Sequence, residues 1–230
     1  MIKHFLFVVL MSLLALNGWG QFYLTDVQMD KVSEVSVGEY LHRQIDNNKQ
    51  TFSDVKPSLN STSSIEGFRL HEGEYVLKDS LDNVWNYYVH TNPGDAWNAG
   101  KLNFGFLFSK EANELVYADD KVEKIEPGQL VYLNLHLLKL KNIATAFEII
   151  KVDDRNKVIE FSYIDDNITS GKQQLTFIQT PKGYTKIVHR SYFKSESVLR
   201  DHFLYPYFHT RMTNTYHRNM KRMYKDNQLN

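Results

Sequence analysis

The sequence predicts an α+β fold in which a run of antiparallel strands is followed by one long C-terminal helix. Three observations carry this. Eight short stretches of strand character follow Glu72, turn residues separate most of them, and Pro206 to about Lys225 repeats its apolar positions at helical spacing.

"EYVLKD", Glu74 to Asp79, is the first strand, and Ser80 then caps the helix "LDNVWNYYVHT", in which Leu81, Val84, Trp85 and Tyr88 share a face. Asn92-Pro93-Gly94-Asp95 stops that helix. Strands are expected at Asn103 to Ser109, Glu114 to Asp119, Leu130 to Leu140, Ala146 to Val152, Lys157 to Ile164, Gln173 to Thr180 and Tyr184 to Phe193. Asp153-Asp154-Arg155-Asn156, Asp165-Asp166-Asn167 and Pro181-Lys182-Gly183 supply turns between the later ones. Because side chains alternate across a strand, the charges Lys186 and Arg190 put Ile187, His189, Ser191 and Phe193 on the inner face. The same reasoning turns inward Ile159, Phe161 and Tyr163, then Leu175 and Phe177, then Leu133, Leu135 and Leu137, and points His136 outward.

The segments before this domain differ in texture. Lys3 and His4, the apolar run Phe5 to Leu16 and the small residues of Asn17-Gly18-Trp19-Gly20 read as a signal peptide over residues 1–20, cleaved after Gly20. An uncleaved anchor is the alternative, but the run falls short of the roughly 20 residues that span a bilayer. Residues 21–68 read as an N-terminal extension: Met29 to Asp46 has apolar positions suited to a helix, whereas Asp46 to Ser64 reads as linker, and removal of Gln21 to about Ser64 is expected to leave the rest folded. Residues 69–226 form the domain proper. The protein is then exported, to the periplasm or the medium.

Composition narrows the functions. With 27 basic and 27 acidic residues there is no long-range field to recruit nucleic acid, and the absence of cysteine removes disulfides, thiolate metal sites and a thiol nucleophile. The 42% hydrophobic and 13% aromatic content suffices for one sizeable core.

The terminal segment "HFLYPYFHTRMTNTYHRNMKRMYK" invites a metal reading through its histidines. Pro206 suits the first turn of a helix, where its missing N–H costs nothing. At about 100° per residue, Thr213, Tyr216, Met220 and Met223 fall within about 40° of His209, while Arg211, Arg218, Lys221, Arg222 and Lys225 form an opposite basic face. His217 lies about 80° around from His209 and about 12 Å along the axis, too far to share one ion. His202 and His217 are therefore read as structural, with substitution of His217 expected to do little; no metal and no cofactor is expected. His209, at the centre of the apolar stripe, is either a hydrogen-bonded core residue or a polar point in a pocket. Met212 and Met220 beside it suit either a core or a pocket that adapts to apolar ligands.

A strand, the "DSLDNVWNYY" helix, a run of antiparallel strands and one amphipathic C-terminal helix, in that order, resemble the START-like (SRPBCC, helix-grip) superfamily. "EPGQLVYL", "TAFEIIKVDDRNKVIEFSYI", "SGKQQLTFIQTPKGYTKIVHRSYF" and "YPYFHTRMTNTYHRNM" look like the second half of a small uncharacterised family within it, although Gly-Lys-Gln-Gln at Gly171 departs from that family's acidic pattern. The resemblance covers about Glu72 to Tyr224. It implies a curved sheet wrapped around the terminal helix, with an apolar cavity between them that holds a lipid-like or polycyclic molecule. The ligand-binding candidates are then His209, Tyr216, Met212, Met220, His189, Ser191, Phe161 and Tyr163. No catalytic residue carries over.

Three functions compete. The first is a monomeric, exported binding module for a hydrophobic small molecule. The second is a cyclase or hydrolase working in the same cavity with a histidine as general base, which lacks a Gly-x-Ser-x-Gly elbow, a His-Glu-x-x-His pair and any inward carboxylate to orient the base. The third is a surface protein whose basic helix face makes weak contact with anionic lipid, a face that solvation and the helix dipole explain as well.

Overall fold

The computed structural model describes residues 20–138, 141–165 and 167–229. The leader assigned as a signal peptide lies outside them, apart from its last residue. Among the described residues no helix is long and apolar enough to cross a membrane.

Helix α1 spans Val35–Asp46 and precedes the sheet. Strand β1 (Arg69–Leu77) leads through α2 (Leu81–His90) and the single turn α3 (Pro93–Ala96) to β2 (Leu102–Ser109) and β3 (Glu114–Val116). Five long strands follow: β4 (Gln129–Leu138), β5 (Lys141–Asp153), β6 (Val158–Tyr163), β7 (Ser170–Gln179) and β8 (Thr185–Lys194). A π-helical turn, Arg200–Leu204, then runs into α4 (Tyr205–Leu229). All eight expected strands are present. The terminal helix runs four residues past its expected end, and Pro206 sits in its first turn as expected.

The strands form one antiparallel, curved and unclosed sheet in the order β1-β8-β7-β6-β5-β4-β2-β3. Its concave face packs on α2 and α4 through Trp85, Tyr88, Leu107, Leu133, Phe161, Phe177 and Met220, all buried. Ser80 caps α2 by accepting from Asn83 N at 3.4 Å. Asp79 beside it accepts from Tyr224 Oη at 2.7 Å and Gln228 Nε2 at 2.6 Å, fastening the far end of α4 to the start of α2. The bond from Tyr224, with those from Ser80 N, Asn83 and Gln228, holds the Asp79 carboxyl down to about 2.

The convex face is covered too, which corrects the reading of Asp46 to Ser64 as a linker. Phe52 and Val55 are fully buried there, packed with Val37, Tyr40 and Leu41 of α1 against Phe106, Phe108, Leu130 and Tyr132 of the sheet. Phe52 stacks on Phe108 with ring centroids 4.1 Å apart. The backbone is docked as well: Ser58 N donates to Tyr163 O at 2.7 Å and Leu59 N to Ser162 Oγ at 3.0 Å. Two lysines reach this segment, half-buried Lys110 just after β2 donating to Val55 O and buried Lys172 of β7 donating to Ser61 O. A segment poor in apolar residues thus docks through two large side chains and its main chain.

A register shift at Gly105 makes the two-sided burial possible. Phe104 belongs to the concave core, yet Phe106 and Phe108 belong to the convex one, because the bulge between Phe104 and Phe106 turns the strand over. Gly105 is also where α1 approaches: a Cβ there would stand 3.0 Å from Tyr132 O and 3.2 Å from a Val37 methyl. The molecule therefore has three layers, an N-terminal layer, the sheet and the terminal helix.

Candidate functional site

A cavity of about 610 Å³ lies between the concave face and α4. One end is apolar and aromatic: Trp97 stacks on Tyr216 at 4.1 Å, and Phe147 meets Phe161 at 4.8 Å, with Leu102, Leu133 and Leu135 beside them. Six of the expected ligand-binding residues line it, namely Phe161, Tyr163, His189, His209, Met212 and Tyr216. Two do not. Ser191 is fully buried behind His209, and Met220 is fully buried in the core further along α4, where α2 and the sheet close over it.

Part of the polar wall belongs to one hydrogen-bonded chain across the interior. Gln173 Oε1 accepts from His189 Nε2 at 2.6 Å and from His209 Nε2 at 3.0 Å, while its Nε2 donates to Tyr163 Oη at 2.8 Å. A carbonyl oxygen only accepts, so His189 carries its proton on Nε2 and its Nδ1 accepts from His217 Nε2 at 3.0 Å. His217 Nδ1 in turn accepts from Tyr88 Oη at 3.1 Å. At the other end His209 Nε2 reaches Ser191 Oγ at 2.8 Å, and His209 Nδ1 faces His71 Nδ1 at 3.3 Å, where one of the two nitrogens carries the proton. Tyr163 Oη also meets Tyr205 Oη at 2.6 Å.

Burial makes this chain neutral. It pushes His189 and His209 well below the ordinary imidazole range, with neighbouring histidines adding to the effect, and holds His217 at about 3. The tyrosines move the other way, Tyr163 to about 12 and Tyr205 and Tyr88 upward, again chiefly through burial. Near neutral pH this chain thus offers uncharged imidazole, amide and phenol groups to a ligand.

The expectation that His217 is a flank residue of little consequence is corrected here. It is 2% exposed, and Tyr75 of β1 stacks on it at 3.8 Å. The sheet edge β1-β8 wraps far enough around α4 to bury an arc wider than the apolar stripe. His202, by contrast, lies exposed on the π turn against Arg69. Among the described residues no three His, Asp or Glu side chains converge to hold a metal ion.

Several lining residues escape the sequence reading. Gln173 shares its strand parity with Leu175 and Phe177, so alternation was a sufficient signal for it. Tyr205 and Phe208 precede His209 by four residues and by one. Tyr40 and Arg43 come from α1, which nothing in the strand pattern connects to the cavity, and Arg200 comes from the π turn.

No protein-family model matches the chain, and no curated protein sequence matches it. Solved structures do. Norcoclaurine synthase from Thalictrum flavum in complex with dopamine and hydroxybenzaldehyde is similar with a TM-score of 0.52 and 10% identity, over 73% of this chain and 95% of that one. The KanY protein is similar with a TM-score of 0.51 and 7% identity, over 69% of this chain and 99% of that one. At such identities the likeness is one of fold, and that fold is the helix-grip arrangement.

Proposed function

We propose that this protein is an exported binding module for a hydrophobic small molecule held between the sheet and the terminal helix. The observation that carries the reading is the cavity of about 610 Å³ with its apolar and aromatic end and a few convergent hydrogen-bonding groups. That is the usual composition of a small-molecule site, in which apolar surface supplies affinity and fixed polar groups supply orientation. The charge, apolar and small-residue order of residues 1–20 supports export.

An enzyme in the same cavity is the second reading, favoured by the two neutral histidines in its wall. Among the described lining residues there is no carboxylate to orient an imidazole or to stabilise it once charged. Binding is therefore the better-supported function.

Native mass spectrometry of the purified protein, followed by organic extraction, tests it. A co-purifying apolar compound, or tight uptake of an added one, is the expected result. A protein that neither carries nor takes up apolar compounds overturns the proposal, and an N-terminus at Met1 in the cytoplasm overturns the export.

A further inference from the structure

Two cations stand at the cavity, and among the described lining residues no acid meets them. Arg43 of the N-terminal layer and Arg200 of the π turn both contribute to its lining, and among the described residues no carboxylate does. Arg43 has no hydrogen-bond or ion-pair partner for its guanidinium among the described residues; the group lies over the Tyr40 ring at 5.2 Å. The guanidinium of Arg200 donates to the Thr169 hydroxyl and has no other side-chain partner among the described residues, which leaves further N–H groups for a ligand.

Both are tied to one short stretch of chain, Arg200 directly and Arg43 through Tyr40. Tyr40 Oη, beneath Arg43, donates to Asn167 Oδ1 at 2.8 Å, and Asn167 Nδ2 is fixed to Ala146 O at 2.8 Å. Arg200 is fixed to Thr169, only two residues on. Cα atoms two residues apart are separated by no more than about 7 Å. The guanidinium groups thus flank one short stretch of the β6–β7 connection, whereas Trp97, Phe147 and Leu133 line the cavity elsewhere without any charge.

We infer that the ligand is an amphiphile with a carboxylate head, its apolar body inside the cavity and its carboxylate between Arg43 and Arg200. This rests on the proposed binding function and adds to it the ligand's charge and direction. Guanidinium forks match carboxylates in plane and charge, and such hydrogen bonds are about twice as strong as neutral ones. The inference also gives the N-terminal layer a part in binding: α1 brings Tyr40 and Arg43 to the cavity from outside the helix-grip elements.

cis-Parinaric acid and its methyl ester, which share one fluorescent chain and differ in the head, separate the possibilities on the full mature chain. The acid is expected to bind about tenfold more tightly than the ester, the preference shrinking with added salt. Arg43→Gln and Arg200→Gln should each lower affinity for the acid several-fold and leave the ester unchanged, with Lys225→Gln at the far end of α4 altering neither. Arg43 is exposed, so its variant reports on binding even where Arg200→Gln loosens the π turn. Equal binding of acid and ester, or acid binding indifferent to both substitutions, overturns the carboxylate assignment while leaving an apolar binding protein. Binding of neither overturns both.

Discussion

His217 Nε2 donates to His189 Nδ1 across 3.0 Å, joining α4 to β8 inside the core. The bond sits in a relay that begins at Tyr88 of α2, so one imidazole ties together two helices and the sheet. His217→Leu would leave the Tyr88 hydroxyl and His189 Nδ1 buried without partners, and each stranded group costs about 1 to 3 kcal/mol. Denaturant unfolding should show a loss in that range or above. Tyr88→Phe should be less costly in the His217→Leu background than in the wild type, because the two share one hydrogen bond. Equal penalties in both backgrounds would mean that the pair is not coupled.

The same chain fixes the response to acid. His189, His209 and His217 have folded-state values below the ordinary 6.5, so the folded protein resists protonation that the unfolded chain accepts. Their contribution is fully present above pH 6.5 and falls as pH drops below it, down to about 3 for His217. Each histidine adds a slope of about 1.4 kcal/mol per pH unit in that window. Melting temperatures measured from pH 7.5 to 4.5 should fall steeply, and His217→Gln should flatten the curve. An unchanged slope in that variant would remove His217 from the relay.

The N-terminal layer should be inseparable from the domain. Phe52 is fully buried against Phe106 and Phe108, and replacing such a side chain by alanine costs about 3 to 5 kcal/mol. A chain beginning near Ile65 would expose Phe106, Phe108, Leu130 and Tyr132 to water and is expected to lose cooperative melting or to aggregate. A normal melting transition for that shortened chain would show that the convex face tolerates exposure.

The sheet was legible because its strands alternate and its turns carry Asp, Asn, Pro and Gly. The terminal helix was legible because its stripe recurs at helical spacing. The covering of the convex face left a trace that alternation alone passes over: "LNFGFLFS" and "QLVYLNL" are apolar on both faces, which is how strands buried on both sides read. What covers them is a long-range matter, since Phe52 and Val55 stand in a polar stretch whose docking depends on backbone bonds to distant strands. The histidine relay was half legible. Strand parity put His189 and Ser191 inside, and the helical wheel did the same for His209, but His217 needed the reach of β1 around α4, which no local pattern states.

Gly171, at the start of β7, joins a bond to the N-terminal layer with a close approach between β7 and β8. Its φ is +150°, a Cβ there would stand 2.0 Å from Tyr192 O, and its N–H donates to Ser58 Oγ at 3.1 Å. The approach is to backbone, which cannot swing aside as a side chain would. Gly171→Ala should therefore force β7 away from β8 at this end and release Ser58. Amide exchange should speed up at residues 58–59 and at the strand ends. Wild-type protection there would show that the strands absorb the extra methyl.

His209 brings stability and binding into one residue. The sequence offers two readings of it, a satisfied core histidine or a polar point in a cavity, and these predict opposite effects of His209→Leu. In the structure it is both: it lines the cavity and also meets Ser191 at 2.8 Å, Gln173 at 3.0 Å and His71 at 3.3 Å. Leucine would take the His209 bond from the fully buried Ser191 hydroxyl and leave it only the Tyr205 hydroxyl, while Gln173 Oε1 keeps its bond from His189. The expected outcome is a loss of about 1 to 3 kcal/mol together with altered affinity for cis-parinaric methyl ester. His209→Gln, which restores a donor toward Ser191 and Gln173, should recover part of the stability without restoring the shape of the wall. Full stability in His209→Leu would show that Tyr205 alone satisfies Ser191, and unchanged ester binding in both variants would remove His209 from the ligand's surroundings.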